Sequence, residues 1–193
     1  MFRTAIDYLV ALSLPALAIS LAGPEQIVNL LFGTDFTAAA PALPVLMGAL
    51  VVVSVGHLTG TLIIVYGLQR LFIAIALGAL AFNVGANLAL VPPYGFMAAA
   101  WVTLATEMLV LAASLGIVCR RTAVWPNARM LGRIALAASL GWACAFTFHA
   151  FDLPTIAWVA LGGAAYAISL FVIGALRRDE LVAVLRPRWR EAA

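Results

Sequence analysis

Residues 70–121, RLFIAIALGALAFNVGANLALVPPYGFMAAAWVTLATEMLVLAASLGIVCRR, decide the fold. Two apolar stretches, Leu71–Val91 and Phe96–Val118, flank a break of two prolines, a tyrosine and a glycine. Each stretch has about the 20 residues that a helix needs to cross a hydrocarbon core of roughly 30 Å at 1.5 Å per residue. The runs are continuous rather than alternating, which argues against strands. Lipid also demands a backbone whose hydrogen bonds are satisfied internally. Arginine stands at both outer margins, as Arg70 and as Arg120 and Arg121, and is absent from the break. The stretch reads as a helical hairpin whose two ends lie on one side of a membrane. Val91-Pro92-Pro93-Tyr94-Gly95 reads as a tight turn, because prolines and a glycine stop a helix sharply.

Working outward, four more spans can be drawn: Ala5–Ala22, Ala38–Tyr66, Leu131–Ala150 and Thr155–Leu176. All eleven basic residues of the chain are arginine. Arg3, Arg70, the group Arg120, Arg121, Arg129 and Arg133, and the tail Arg177, Arg178, Arg186, Arg188 and Arg190 all fall on one side of the six spans. The opposite gaps carry Glu25, Asp35 and Asp152. Positive charge stays on the cytoplasmic side during insertion. The pattern therefore predicts an all-α, six-span bundle in a bacterial cytoplasmic (inner) membrane, with both termini cytoplasmic.

Composition agrees. The chain is 65% hydrophobic and 10% charged, with a mean hydropathy of +1.11, more apolar surface than a soluble domain of this size can bury. The net charge of +3 is spread along one membrane face, which points to anionic lipid headgroups and away from nucleic acid. Residues 1–193 read as a single membrane domain. Within the gap Gly23–Thr37, Ile27–Phe32 is too short to span and reads as an interfacial helical turn. Pro41 and Pro44 place the first turns of Ala38–Tyr66 in the interface as well. Residues 177–193 read either as a basic amphipathic cytoplasmic segment or as a disordered positive tail. Met1–Ala22 also has the outline of a signal peptide, whose cleavage would leave five spans in the same orientation.

No catalytic constellation is present. The sequence has no Ser-His-Asp set, no paired carboxylates at a mouth, no His/Cys cluster with metal spacing and no phosphate-cradling glycine loop. It is read as a non-enzyme with no cofactor and no metal. His149 and Asp152 are adjacent but mark the water interface. Cys119 and Cys144 lie at different depths and read as small apolar residues in packed helices.

The polar residues inside the spans are more informative. Glu107 lies mid-span, where a carboxylate is expensive and faces a cavity or a partner. It could bind a proton or a cation, or it could hydrogen-bond a neighbouring helix. His57 is also mid-span and could receive a hydrogen bond from Glu107. The flanking Gly56 and Gly60 form a Gly-xxx-Gly pair suited to close helix packing. Asn83 and Asn87, four apart, share one helix face, which could line an aqueous path or hydrogen-bond another helix. By depth, Asn83 is the amide matched to Glu107. Thr59, Thr103 and Thr106 add hydroxyls without a specific signal.

Several short motifs carry a resemblance across residues 25–121. They are Leu31-Phe32-Gly33-Thr34-Asp35-Phe36, Ala38-Ala39-Ala40-Pro41-Ala42-Leu43 and Tyr66-Gly67-Leu68-Gln69-Arg70. A later run adds Asn83, Asn87-Leu88, Val91-Pro92-Pro93-Tyr94-Gly95, Ala99-Ala100, Thr103 and Glu107. Together they resemble the C-terminal domain of polysaccharide-biosynthesis membrane proteins, the oligosaccharide flippases of the multidrug/oligosaccharidyl-lipid/polysaccharide exporter superfamily. Ala98 replaces the glycine usual there.

The resemblance implies two related helix bundles around a central cavity, moving lipid-linked sugars across the membrane by alternating access. Six spans match about one bundle, so the chain looks like a C-terminal half, a fragment or a split half, with a split-half partner or a second copy completing it. Cationic cavity residues often hold the anionic headgroup in such proteins. Arg133, near the start of Leu131–Ala150, is the one arginine within a span and the sequence has no lysine, so that element would come from the other half. The alternatives are a non-transporting scaffold subunit packed against a partner, a multidrug-type cation-coupled exporter, and, more distantly, a membrane enzyme acting on lipid-linked sugars.

Overall fold

The structure, a computed structural model, describes residues 2–175. The chain forms α1 (Phe2–Ala22), α2 (Pro24–Phe32), a 3-10 turn (Thr34–Ala39), α3 (Ala42–Val65), α4 (Gln69–Tyr94), α5 (Phe96–Thr122), α6 (Ala128–Ala150) and α7 (Thr155–Val172). Among the described residues there is no strand. Six of the helices, all but α2, are long and apolar enough to cross a membrane. The protein is a polytopic all-α helical bundle. The amphipathic reading of residues 177–193 and the end of the last span at Leu176 lie outside the described residues.

Local chemistry sets the ends. Pro24 opens α2 at a position where a missing N–H costs nothing, and Gly33, at φ 88, ends it. Only Val28 of α2 is buried, while Leu31 and Phe32 are exposed, so α2 rests on the bundle by one side only. The 3-10 turn and Pro41 delay the start of α3 to Ala42.

The segment after Val91 differs from expectation. α4 continues through Pro92 and Pro93 to Tyr94, and the chain turns at Gly95, where φ is 68. Proline's ring holds φ near the helical value, so in a final turn it removes donors without breaking the conformation. Gly95 then closes the end, its N–H donating to the Val91 carbonyl at 2.8 Å.

The long helices pack side by side in the order α7, α6, α1, α3, α5, α4. α1 holds the middle, so cleavage after Met1–Ala22 would remove the helix that joins the two flanks. The consecutive helices α5 and α6 stand apart, with α1 and α3 between them. Residues 123–127, outside any helix, cross that distance as a strap that begins at Ala123 with φ 55. Arg3 Nε donates to the Trp125 carbonyl at 2.8 Å, which pins the strap under α1. The start of α1 and the strap between Arg121 and Arg129 thus share one end of the bundle, as the arginine pattern requires. Asn127 then caps α6 by accepting from the Met130 N–H.

Two contacts fix α7. At its crossing with α6 both helices carry glycine. A Cβ on Gly162 would lie 2.7 Å from the Ala145 Cβ, and one on Gly141 would lie 2.9 Å from the Tyr166 Cβ and 3.0 Å from the Gly162 carbonyl. In lipid, helices associate through close packing of this kind. The second contact mends a defect. Pro15 inside α1 has no N–H to offer the Ala11 carbonyl one turn earlier. The buried Tyr166 hydroxyl donates to that carbonyl at 2.5 Å. A backbone oxygen that would be orphaned in an apolar surround is satisfied from another helix.

Candidate functional site

α3 and α4 are joined by a short turn at residues 66–68, with Gly67 at φ 72. Close to that turn the Phe72 ring of α4 lies on Gly60 of α3, where a Cβ would come within 2.8 Å of it. Farther from the turn the two helices hardly touch, and each leans on α5 instead. α4 has no buried residue. Between these helices lies a cavity of about 240 Å³. α3 lines it with Val53, Gly56, His57, Gly60, Thr61 and Ile64, spaced three or four apart on one face; α4 adds Phe72, and α5 adds Glu107 and Val110.

A hydrogen bond between the fully buried Thr59 and Ser114 hydroxyls, 2.8 Å long, fixes the register of α3 against α5. Glu107 lies seven residues before Ser114, and His57 two before Thr59. Five residues of offset separate the two groups by about 8 Å along the axis at 1.5 Å per residue. The expected His57–Glu107 hydrogen bond is therefore not made. The imidazole is exposed and the carboxylate half-buried, and they share one cavity across a gap. Among the described residues the Glu107 carboxylate receives no hydrogen bond. The Thr61 hydroxyl is occupied by the His57 carbonyl at 2.8 Å.

The amides belong elsewhere. Asn83 Nδ2 donates to Thr106 Oγ1 at 3.0 Å, and Asn87 Nδ2 donates to Asn83 Oδ1 at 3.1 Å. Thr106 Oγ1 in turn donates to the Val102 carbonyl. Neighbouring residues point about 100° apart on a helix at 3.6 residues per turn. Thr106 therefore faces α4 while Glu107 faces the cavity, and Asn83 meets the threonine rather than the carboxylate. Asn83 and Asn87 are hydrogen-bonding residues of the α4–α5 seam and do not line the cavity.

The glycine pair also divides. Gly60 makes a close contact, but with an aromatic ring. Gly56 has nothing within 4 Å of a built Cβ and lines open space. Its expected helix-packing role is not seen, because the cavity lies between it and the helices opposite.

The minor candidates are structural. His149 tilts against the buried Trp158 ring, centroids 5.4 Å apart, and Asp152 is exposed in the turn after α6. Cys119 is buried and Cys144 points at the Leu161 carbonyl; both are free thiols. No cluster of three or more metal-ligating side chains occurs among the described residues. What the sequence reading passed over is Phe72. Its signal was available: Gly60 and Phe72 flank the Gly67 turn and meet when α3 and α4 fold back on each other.

The cavity thus offers one carboxylate, one imidazole and apolar walls at membrane depth. A lipid-facing carboxylate costs about 3 kcal/mol even on the mild insertion scale. Glu107 lines the cavity. Comparison with protein-family models, curated proteins and solved structures finds no match to this chain.

Proposed function

We propose that the chain is one of two helix bundles of an exporter that moves lipid-linked oligosaccharide across a bacterial cytoplasmic membrane by alternating access, with both termini cytoplasmic. One observation carries this reading: Glu107 and His57 share a half-open cavity at membrane depth. At about 240 Å³ the cavity is smaller than the roughly 300–1,000 Å³ of complete small-ligand sites. It is one wall of a chamber whose remainder comes from an opposing bundle. The carboxylate and imidazole suit sugar hydroxyls, and Glu107 tunes transport through its protonation. The anionic headgroup is held by the opposing bundle, since no arginine or lysine among the described residues lines the cavity here.

The test is reconstitution in liposomes with a fluorescent lipid-linked oligosaccharide, with and without a second bundle. Transport that requires the second bundle and falls at least tenfold in Glu107→Ala supports the reading; transport indifferent to Glu107→Ala sinks it. Unchanged pH and sodium dependence in Glu107→Gln removes the coupling role alone. Orientation is tested by cysteine labelling from outside on a background lacking Cys119 and Cys144. Position 94 should react and position 121 should not.

A second reading has its own support. α4 buries no residue, as expected of a helix kept for a partner. In that case the chain is a scaffold subunit. Cysteines at Gly78 and Gly85 would then crosslink to a co-purifying protein while the pair shows no transport.

A further inference from the structure

Five of the described arginines gather around the strap at one end of the bundle. Arg120 and Arg121 close α5, Arg129 and Arg133 lie one turn apart on one face of α6, and residues 123–127 join the two pairs. Arg3 reaches the middle of the strap from the start of α1, its Nε donating to the Trp125 carbonyl at 2.8 Å. That bond uses one of the five N–H donors of a guanidinium. All five arginines are exposed, and so is Trp125 between them. Asp7, half-buried one turn along α1 from Arg3, is the one carboxylate at this end among the described residues. Glu25, Asp35 and Asp152 lie in the loops of the other end, and Glu107 lies within α5. The remaining described arginine, Arg70, stands by itself after the turn between α3 and α4.

A planar guanidinium holds a phosphate through two parallel N–H bonds. Helices that cross a bilayer place their ends in its headgroup layer, where tryptophan also settles. The phosphate that lies at the ends of such helices is that of the lipid itself. We propose that the strap and its two arginine pairs form a binding site for the phosphate groups of anionic phospholipid, with Arg3 holding the strap in place beneath α1. Bound lipid then fastens the connection between α5 and α6, two helices that stand apart. The site needs the six long helices to cross a bilayer. It needs neither the exporter reading nor a choice of side, because in symmetric vesicles both leaflets present the same lipid.

The test measures which lipid stands beside the strap. The full chain, with Cys119 and Cys144 replaced by serine, carries a fluorophore on a cysteine introduced as Trp125→Cys, Gln69→Cys or Tyr94→Cys. It is reconstituted in bilayers of phosphatidylcholine and phosphatidylglycerol, with one lipid or the other brominated close to its glycerol so that it quenches on contact. Attraction of roughly fivefold per arginine near an anionic surface predicts a preference for phosphatidylglycerol of at least about tenfold at position 125. At position 69, beside the lone Arg70, the preference should be several times weaker, and at position 94, at the other end, it should be absent. Arg120→Gln with Arg121→Gln, or Arg129→Gln with Arg133→Gln, should each lower the preference at position 125 at least about threefold. Both pairs are exposed, so these changes leave the helix packing alone. Equal quenching by the two lipids at position 125, a preference there no greater than at position 69, or one that survives the loss of both pairs overturns the site.

Discussion

Gly162 and Gly163 are adjacent, and the structure predicts opposite results for the same substitution. A methyl group at Gly162 would lie 2.7 Å from the Ala145 Cβ and 3.1 Å from the Gly141 carbonyl oxygen. Two carbons sit comfortably at about 3.5–4.0 Å, so the shortfall is at least about 0.8 Å. The obstacles are a Cβ and a backbone oxygen, neither of which can swing aside, so α6 and α7 must move apart. Overpacking of this kind costs about 1–3 kcal/mol. The helix itself gains about 0.5–1 kcal/mol when glycine becomes alanine. Gly162→Ala should therefore lose about 1–2 kcal/mol, roughly 5- to 30-fold in the folded-to-unfolded ratio. At Gly163 nothing lies within 4 Å, so Gly163→Ala should be neutral or slightly stabilising. The assay is reversible unfolding of the purified chain in mixed micelles, followed by helix content and by tryptophan fluorescence. Equal effects from the two substitutions, or a Gly162→Ala protein as stable as wild type, would refute the packing described for α6 and α7.

Tyr166→Phe should cost about 1–2 kcal/mol, the penalty of leaving the Ala11 carbonyl buried without a donor. In a Pro15→Ala background, where residue 15 supplies an N–H, the same change should cost under about 0.5 kcal/mol; additive effects in this cycle would dismiss the repair. Asn83→Leu should destabilise by about 0.6–1.7 kcal/mol, the range for hydrogen bonds between membrane helices, without altering reagent access to position 107 in a Glu107→Cys variant. Arg3→Gln should raise protease cleavage within residues 123–127 several-fold while leaving the unfolding midpoint of the bundle in place.

The six long apolar helices were legible, because length and hydropathy are set by the membrane itself. Lateral arrangement was much less so. In water an amphipathic stripe shows which face of a helix turns inward; in lipid both faces are apolar, and that signal is lost. Hence Gly56 and Gly60 looked like the packing pair, while the tight crossing is at Gly141 and Gly162. The same difficulty hid the partner of Asn83. Depth matched it to Glu107, but rotation about α5 gives it Thr106. Glu107 and His57 were found on chemistry alone, since ionisable groups inside a span need a reason to be there. Their common cavity was set by the Thr59–Ser114 register, which no pattern of residues announced. The prolines after Val91 were misjudged for a simpler reason: a helix can end in proline when its last carbonyls are already near the interface.

Membrane helices are made in order, and α1 is made before α7. It enters with a gap in its own ladder, since Pro15 cannot answer the Ala11 carbonyl. The hydroxyl that does so arrives on α7, more than 150 residues of synthesis later. Until then α1 must bend, draw in water or borrow a donor. A nascent chain halted after α6 would hold α1, α3, α4, α5 and α6 at full length with the Ala11 carbonyl still unanswered. The last described helix thereby completes the first, and an unfinished bundle differs from a finished one at a point that a membrane protease can sense.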